Sequence, residues 1–151
     1  MWTARQENRI RAERDVLDRL LPHFVFFTSW STAYVVGYES CPGFRHPYEL
    51  RLELGSGYPD EEPYLYVTYP SLLFDYHGDH LTCPSHRFHT LGRREELGWT
   101  RLCHSKDWDP RKSCLAVIQR GQLWIHLYEQ HLRTGQSIDD MLWDLKRRYA
   151  P

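Results

Sequence analysis

The stretch Tyr48-Glu49-Leu50-Arg51-Leu52-Glu53-Leu54 alternates apolar and charged residues without a break. A period of two puts every apolar side chain on one face of an extended strand, whereas a helix would scatter them around its axis. The chain must therefore build a sheet with one buried face. Phe24 to Trp30 and Thr32 to Gly37, rich in aromatic and β-branched residues, read as two earlier strands. Gly55-Ser56-Gly57-Tyr58-Pro59 supplies a turn, and Leu65 to Tyr69 forms the next strand before Pro70. Short connections between successive strands predict an antiparallel meander of four.

Helical periods frame this sheet. Thr3-Ala4-Arg5-Gln6 has the spacing of a capping box, and Ile10, Leu17, Leu20 and Leu21 recur on one helical face until Pro22 stops it. A helix over 4–21 follows. From about Arg111, Leu115, Ile118, Ile125, Tyr128 and Leu132 share a helical face, with Thr134-Gly135 as the exit. Ser137 then opens a short last helix carrying Met141, Leu142 and Leu145. Residues 71–102 follow neither period and read as a long structured loop. The expected architecture is one α+β domain over 1–151, helices packed on one side of the sheet.

Charge and cysteine usage narrow the function classes. With 19 basic and 20 acidic residues the formal net charge is −1, which gives no electrostatic reason for a nucleic-acid partner. No apolar run reaches bilayer length, and the charged N-terminus lacks the apolar core of a signal peptide. No membrane association and a cytoplasmic location are expected, with Cys41, Cys83, Cys103 and Cys114 as thiols rather than disulfides. The aromatic residues Trp30, Tyr34, Tyr64, Tyr66, Tyr69 and Trp124 are expected in the core, since no basic stripe runs beside them in sequence.

The chemistry centres on Cys103. It stands in Trp99-Thr100-Arg101-Leu102-Cys103-His104, closely followed by Asp107-Trp108-Asp109-Pro110 and then a helix. Upstream lies the rigid turn Tyr58-Pro59-Asp60-Glu61-Glu62-Pro63. In this order of motifs and elements the chain resembles the ubiquitin-conjugating enzyme family over nearly its whole length. Tyr58-Pro59 with Pro63 is similar to the family's Tyr-Pro turn. Leu102-Cys103 is similar to its acyl-accepting site, and Trp108-Asp109-Pro110 to its Trp-x-Pro. Trp124 to Glu129 with Arg133-Thr134-Gly135 resembles the prokaryotic relatives found in bacterial defence operons. The resemblance implies a thioester-forming transferase in which Cys103 accepts the C-terminal glycine of a partner. That partner would be a cGAS-like nucleotidyltransferase of an antiphage system signalling through cyclic oligonucleotides, or a ubiquitin-like protein.

The family's His-Pro-Asn tripeptide is missing, and Cys83-Pro84-Ser85-His86-Arg87-Phe88-His89 stands in its place. His86, then His89, are the candidates to donate a hydrogen bond to the oxyanion. His104 or Lys106 could activate the thiol. Asp107 could orient or deprotonate an attacking amine, or simply cap the turn before Trp108. Cys114 is expected to pack against the sheet, and Cys41, in a hairpin turn, has no evident partner. No phosphate-cradling glycine loop is present, so a separate activating enzyme is implied. No cofactor and no metal are expected. Two alternatives remain: a non-catalytic binding module of the same fold, or a small zinc protein using Cys83, His86 and His89 with Cys103 or His104. The zinc pattern lacks a paired Cys-x-x-Cys.

Overall fold

The computed structural model describes residues 1–150. Helix α1 (Ala4–Leu20) begins at the capping box: Gln6 N–H donates to the Thr3 hydroxyl and Thr3 N–H to the Gln6 side chain. It ends just ahead of Pro22, which has no N–H to extend the ladder. The four expected strands are β1 (Val25–Thr28), β2 (Ala33–Glu39), β3 (Tyr48–Leu54) and β4 (Tyr64–Tyr69).

The sheet, however, has six strands rather than four. Residues 71–102 contain β5 (Thr90–Arg94) and β6 (Trp99–Leu102), and the spatial order is β1-β2-β3-β4-β6-β5, antiparallel throughout. These two strands carry little apolar alternation of their own. Thr90 and Thr100 take their inward positions, and the register slips at Leu91-Gly92, where Gly92 has a φ of 97°. Their stability comes from completing the open edge of β4, a tertiary term that no local pattern carries.

Helix α2 (Cys114–Thr134) lies across the inner face. Ser113 caps its start, and Gly135, left-handed at φ 77°, ends it. Leu50, Leu52, Leu65, Val67 and Leu102 meet Ile118 and Ile125 in a fully buried layer. Gly121 sets the approach: a Cβ there would lie 2.9 Å from Leu65 Cδ2 and 3.1 Å from Leu50 Cδ1. Helix α3 (Ile138–Tyr149), capped by Ser137, buries Ile138, Met141 and Leu142. No helix among the described residues is long and apolar enough to cross a membrane.

The aromatic expectation needs correcting. Tyr66 and Trp124 are buried, but Trp30 is 74% exposed, and Tyr64 and Tyr69 also face solvent. Trp30 lies in the β1–β2 turn, while Tyr64 and Tyr69 end β4. On the outer face, arginines cover the rings instead. The Arg51 guanidinium lies 3.8 Å from the Tyr34 ring centre and Arg101 lies 3.7 Å from that of Tyr64. Arg51 shares Glu53 with Arg94, and Arg101 pairs with Glu62.

Candidate active site

Cys103 is the first residue after β6. Because Leu102 pairs with Leu65, the chain leaves the sheet beside the start of β4, where Pro63 ends the Tyr58-Pro59 turn. Two side chains of the cysteine segment then clamp that turn. The His104 Nε2–H donates to the Pro63 carbonyl at 2.7 Å, and the Trp108 indole N–H donates to the Pro59 carbonyl at 2.7 Å. The Trp108 ring also lies 6.5 Å from the Tyr58 ring and 5.8 Å, edge-on, from the His104 ring. Motifs separated by some 40 residues thus form one unit around Cys103.

The unit stands on a buried polar post. Tyr58 donates its hydroxyl to Glu13 Oε1 at 2.9 Å, while Glu13 Oε2 accepts the Cys114 backbone N–H at 2.9 Å. Arg9 supplies the countercharge to Glu13 at 2.7 Å. A buried carboxylate persists because each oxygen is bonded and a guanidinium neutralises it. Cys114 is enclosed here, 3.5 Å from the Tyr58 hydroxyl, and burial pushes its thiol well above the ordinary range. Its place at a helix start therefore does not make it a reactive thiol.

Cys103 itself is half-buried, with its backbone N–H on the His89 carbonyl at 2.9 Å and its Sγ 3.5 Å from the Ser105 carbonyl oxygen. The loop before β5 is folded down by Trp124, whose indole N–H donates to the Phe88 carbonyl at 2.7 Å, and by Asp139 N–H on the Arg87 carbonyl at 3.0 Å. His86 and His89 both turn Nε2 to Asp139 Oδ1, at 3.5 and 2.7 Å, with ring centres 5.2 Å apart. Beside these imidazoles the Asp139 carboxyl is held below its usual range, the His89 hydrogen bond being the main cause. His89 is mostly covered and adopts a φ of 52°, whereas the His86 side chain is 86% exposed.

His104, a candidate activator of the thiol, is half-buried. Its ring is engaged with Pro63, its Nδ1 is buried without a partner, and burial lowers its pKa. Asp107 is exposed, with its backbone carbonyl accepting from Lys112 Nζ at 3.4 Å. The four-ligand zinc arrangement is not assembled: His86 and His89 gather on Asp139, while the exposed Cys83 contacts Thr82 at 3.7 Å. Two residues escaped the sequence reading. Asp139 lies 50 positions beyond the histidine it orients, so only the tertiary fold reveals it. Arg120, half-covered on α2, has its pKa lowered by burial, and the Cys103 sulfur is the charge site acting against that lowering.

Comparison with protein-family models, curated proteins and solved structures gives no match to this chain.

Proposed function

We propose that the chain is an acyl carrier of the ubiquitin-conjugating type, with a fold of that kind and Cys103 as its nucleophile. The observation that carries the reading is the clamp: Trp108 on Pro59 and His104 on Pro63 hold the cysteine segment against the Tyr-Pro turn. A thiol that must meet the flexible tail of another protein needs a fixed ledge, and these two hydrogen bonds to the turn supply one. The donor is a protein ending in glycine: a cGAS-like nucleotidyltransferase in antiphage defence, or a ubiquitin-like protein, loaded by a separate activating enzyme.

The steps ask for few groups. The Cys103 thiolate attacks the activated glycyl carbonyl, the leaving group departs, and the acyl group remains as a thioester. An amine then attacks, the thiolate leaves, and the amine proton passes to a base. Asp107, exposed next to the clamp, is the base in reach of solvent. An anion formed at Cys103 is favoured by the positive charge of Arg120 on α2, with which it interacts electrostatically. His86, the freer of the two imidazoles, is the donor to the oxyanion, with Asp139 orienting the pair.

Incubation with C-terminal glycyl thioesters of the two donor classes tests this. A thiol-sensitive adduct should form with wild type, persist when Cys41, Cys83 or Cys114 is replaced, and vanish in Cys103→Ala. His86→Ala should slow acceptance by roughly a hundredfold or more, and Arg120→Lys should retain more activity than Arg120→Ala. Binding of the donor without any adduct would make the chain a non-catalytic module of the same fold.

A further inference from the structure

At the sheet end opposite Cys103, three metal-ligand side chains from separate elements converge. Glu39 closes β2, Cys41 follows two residues later in the loop after it, and His126 projects from α2. Register fixes the location: Glu39 pairs with Tyr48, and Glu49 with Tyr69 at the finish of β4, whereas Cys103 follows Leu102 at the start of β4.

We propose that Glu39 Oε1, Cys41 Sγ and His126 Nε2 form a zinc site with three protein ligands and a fourth position open to water. Cys41 Sγ lies 3.8 Å from His126 Nε2, and His126 Nε2 lies 3.9 Å from Glu39 Oε1. The first is a long sulfur–imidazole hydrogen bond, and the second is too long for an N–H···O hydrogen bond. A tetrahedron with Zn–S about 2.3 Å and Zn–N and Zn–O about 2.0–2.2 Å has edges of roughly 3.3–3.6 Å, so these two separations exceed it by up to about half an ångström, and the three ligand atoms all lie within 4.8 Å of one another. Small side-chain movements would bring all three atoms onto one ion.

The surroundings fix each ligand. Pro42 and Gly43, with Gly43 at a φ of 92°, make a tight turn in which Phe44 N–H donates to the Cys41 carbonyl at 3.0 Å. Gln122, one helical turn before His126, donates to Glu39 Oε2 at 2.8 Å and leaves Oε1 for the ion. Phe44 packs edge-on against the His126 ring at 4.9 Å. Binding displaces the Cys41 thiol proton to solvent, and the resulting thiolate and carboxylate together neutralise a dication. Soft sulfur with imidazole and carboxylate selects zinc over magnesium or calcium. The grouping of His86, His89 and Asp139 differs: the 2.7 Å contact between His89 and Asp139 is a hydrogen bond, closer than two ligands of one ion stand.

Titration of the full chain with cobalt(II), a spectroscopic stand-in for zinc, tests the site independently of any acyl transfer. One cobalt per chain should bind with a thiolate-to-metal charge-transfer band that zinc abolishes by displacement. Cys41→Ser should remove the band, His126→Ala should abolish tight binding, and Gln122→Ala should weaken it by roughly 10- to 100-fold. Cys103→Ala and His86→Ala should leave the band intact. Cys41 lies in a surface turn, and unchanged circular dichroism of Cys41→Ser shows that the fold is kept. Absence of binding to wild type, a band that survives Cys41→Ser, or a band lost with Cys103→Ala would overturn the assignment.

Discussion

His104 shows how one ring can serve both packing and a pH response. Its Nε2–H holds the Pro63 carbonyl, so the neutral form leaves Nδ1 as a buried lone pair without a partner. Protonation would add an N–H with no acceptor beside it, and burial accordingly lowers the pKa. A histidine whose folded pKa is lowered contributes stability that is complete above its unfolded value, near about 6.5, and lost as pH falls through the folded value. The denaturation midpoint should therefore fall below about pH 6.5, and fall less steeply in His104→Gln. Equal slopes for the two proteins would show that His104 is not the group responsible. Glu13 gives a second residue-scale outcome. Glu13→Ala strands the Tyr58 hydroxyl and the Cys114 N–H in the interior and should cost about 3 kcal/mol in urea unfolding.

Among the elements, α2 carries the tightest constraint. Gly121 lets the helix lie directly on β3 and β4, and the atoms a side chain would meet, Leu65 Cδ2 and Leu50 Cδ1, belong to the packed core. Gly121→Val should destabilise by about 1–3 kcal/mol through overpacking, read as a lower urea midpoint. An unchanged midpoint would mean that the helix can move off the sheet at little cost. The same elements show what was legible in advance. Thr3 with Gln6, Ser137 and Gly135 are local signals, and each marks an observed helix end. Strand β3 was legible because one face is wholly apolar. The hairpin of β5 and β6 was not, since its inward Thr90 and Thr100 look polar in sequence and its order depends on pairing with β4. Tyr64 and Tyr69 misled for a related reason: an aromatic residue in a strand identifies the strand, not which face it takes.

For the whole molecule, the long-range contacts bring sequence-distant motifs into one place. Tyr58-Pro59, Cys103 and Trp108 were visible as separate motifs, and the fold joins them through backbone carbonyls that no side-chain pattern encodes. Asp139 and Arg120 became visible only once α2 and α3 were docked beside the cysteine loop. If the clamp positions the thiol, Trp108→Phe should keep the ring packing but lose the bond to Pro59, slowing acyl acceptance by several-fold, on the order of one lost hydrogen bond of about 1 kcal/mol. A rate equal to wild type would remove the clamp from the account.

The most direct test of the central claim is intact-mass and peptide-mapping spectrometry of Cys103→Ser, loaded with a donor ending in glycine by its activating enzyme. The account predicts a species at the sum of the two masses less one water, stable to thiol, with the donor glycine esterified to residue 103, and no such species in Cys103→Ala. Acylation mapped to Cys41, Cys83, Cys114 or a lysine, or persisting in Cys103→Ala, would contradict it.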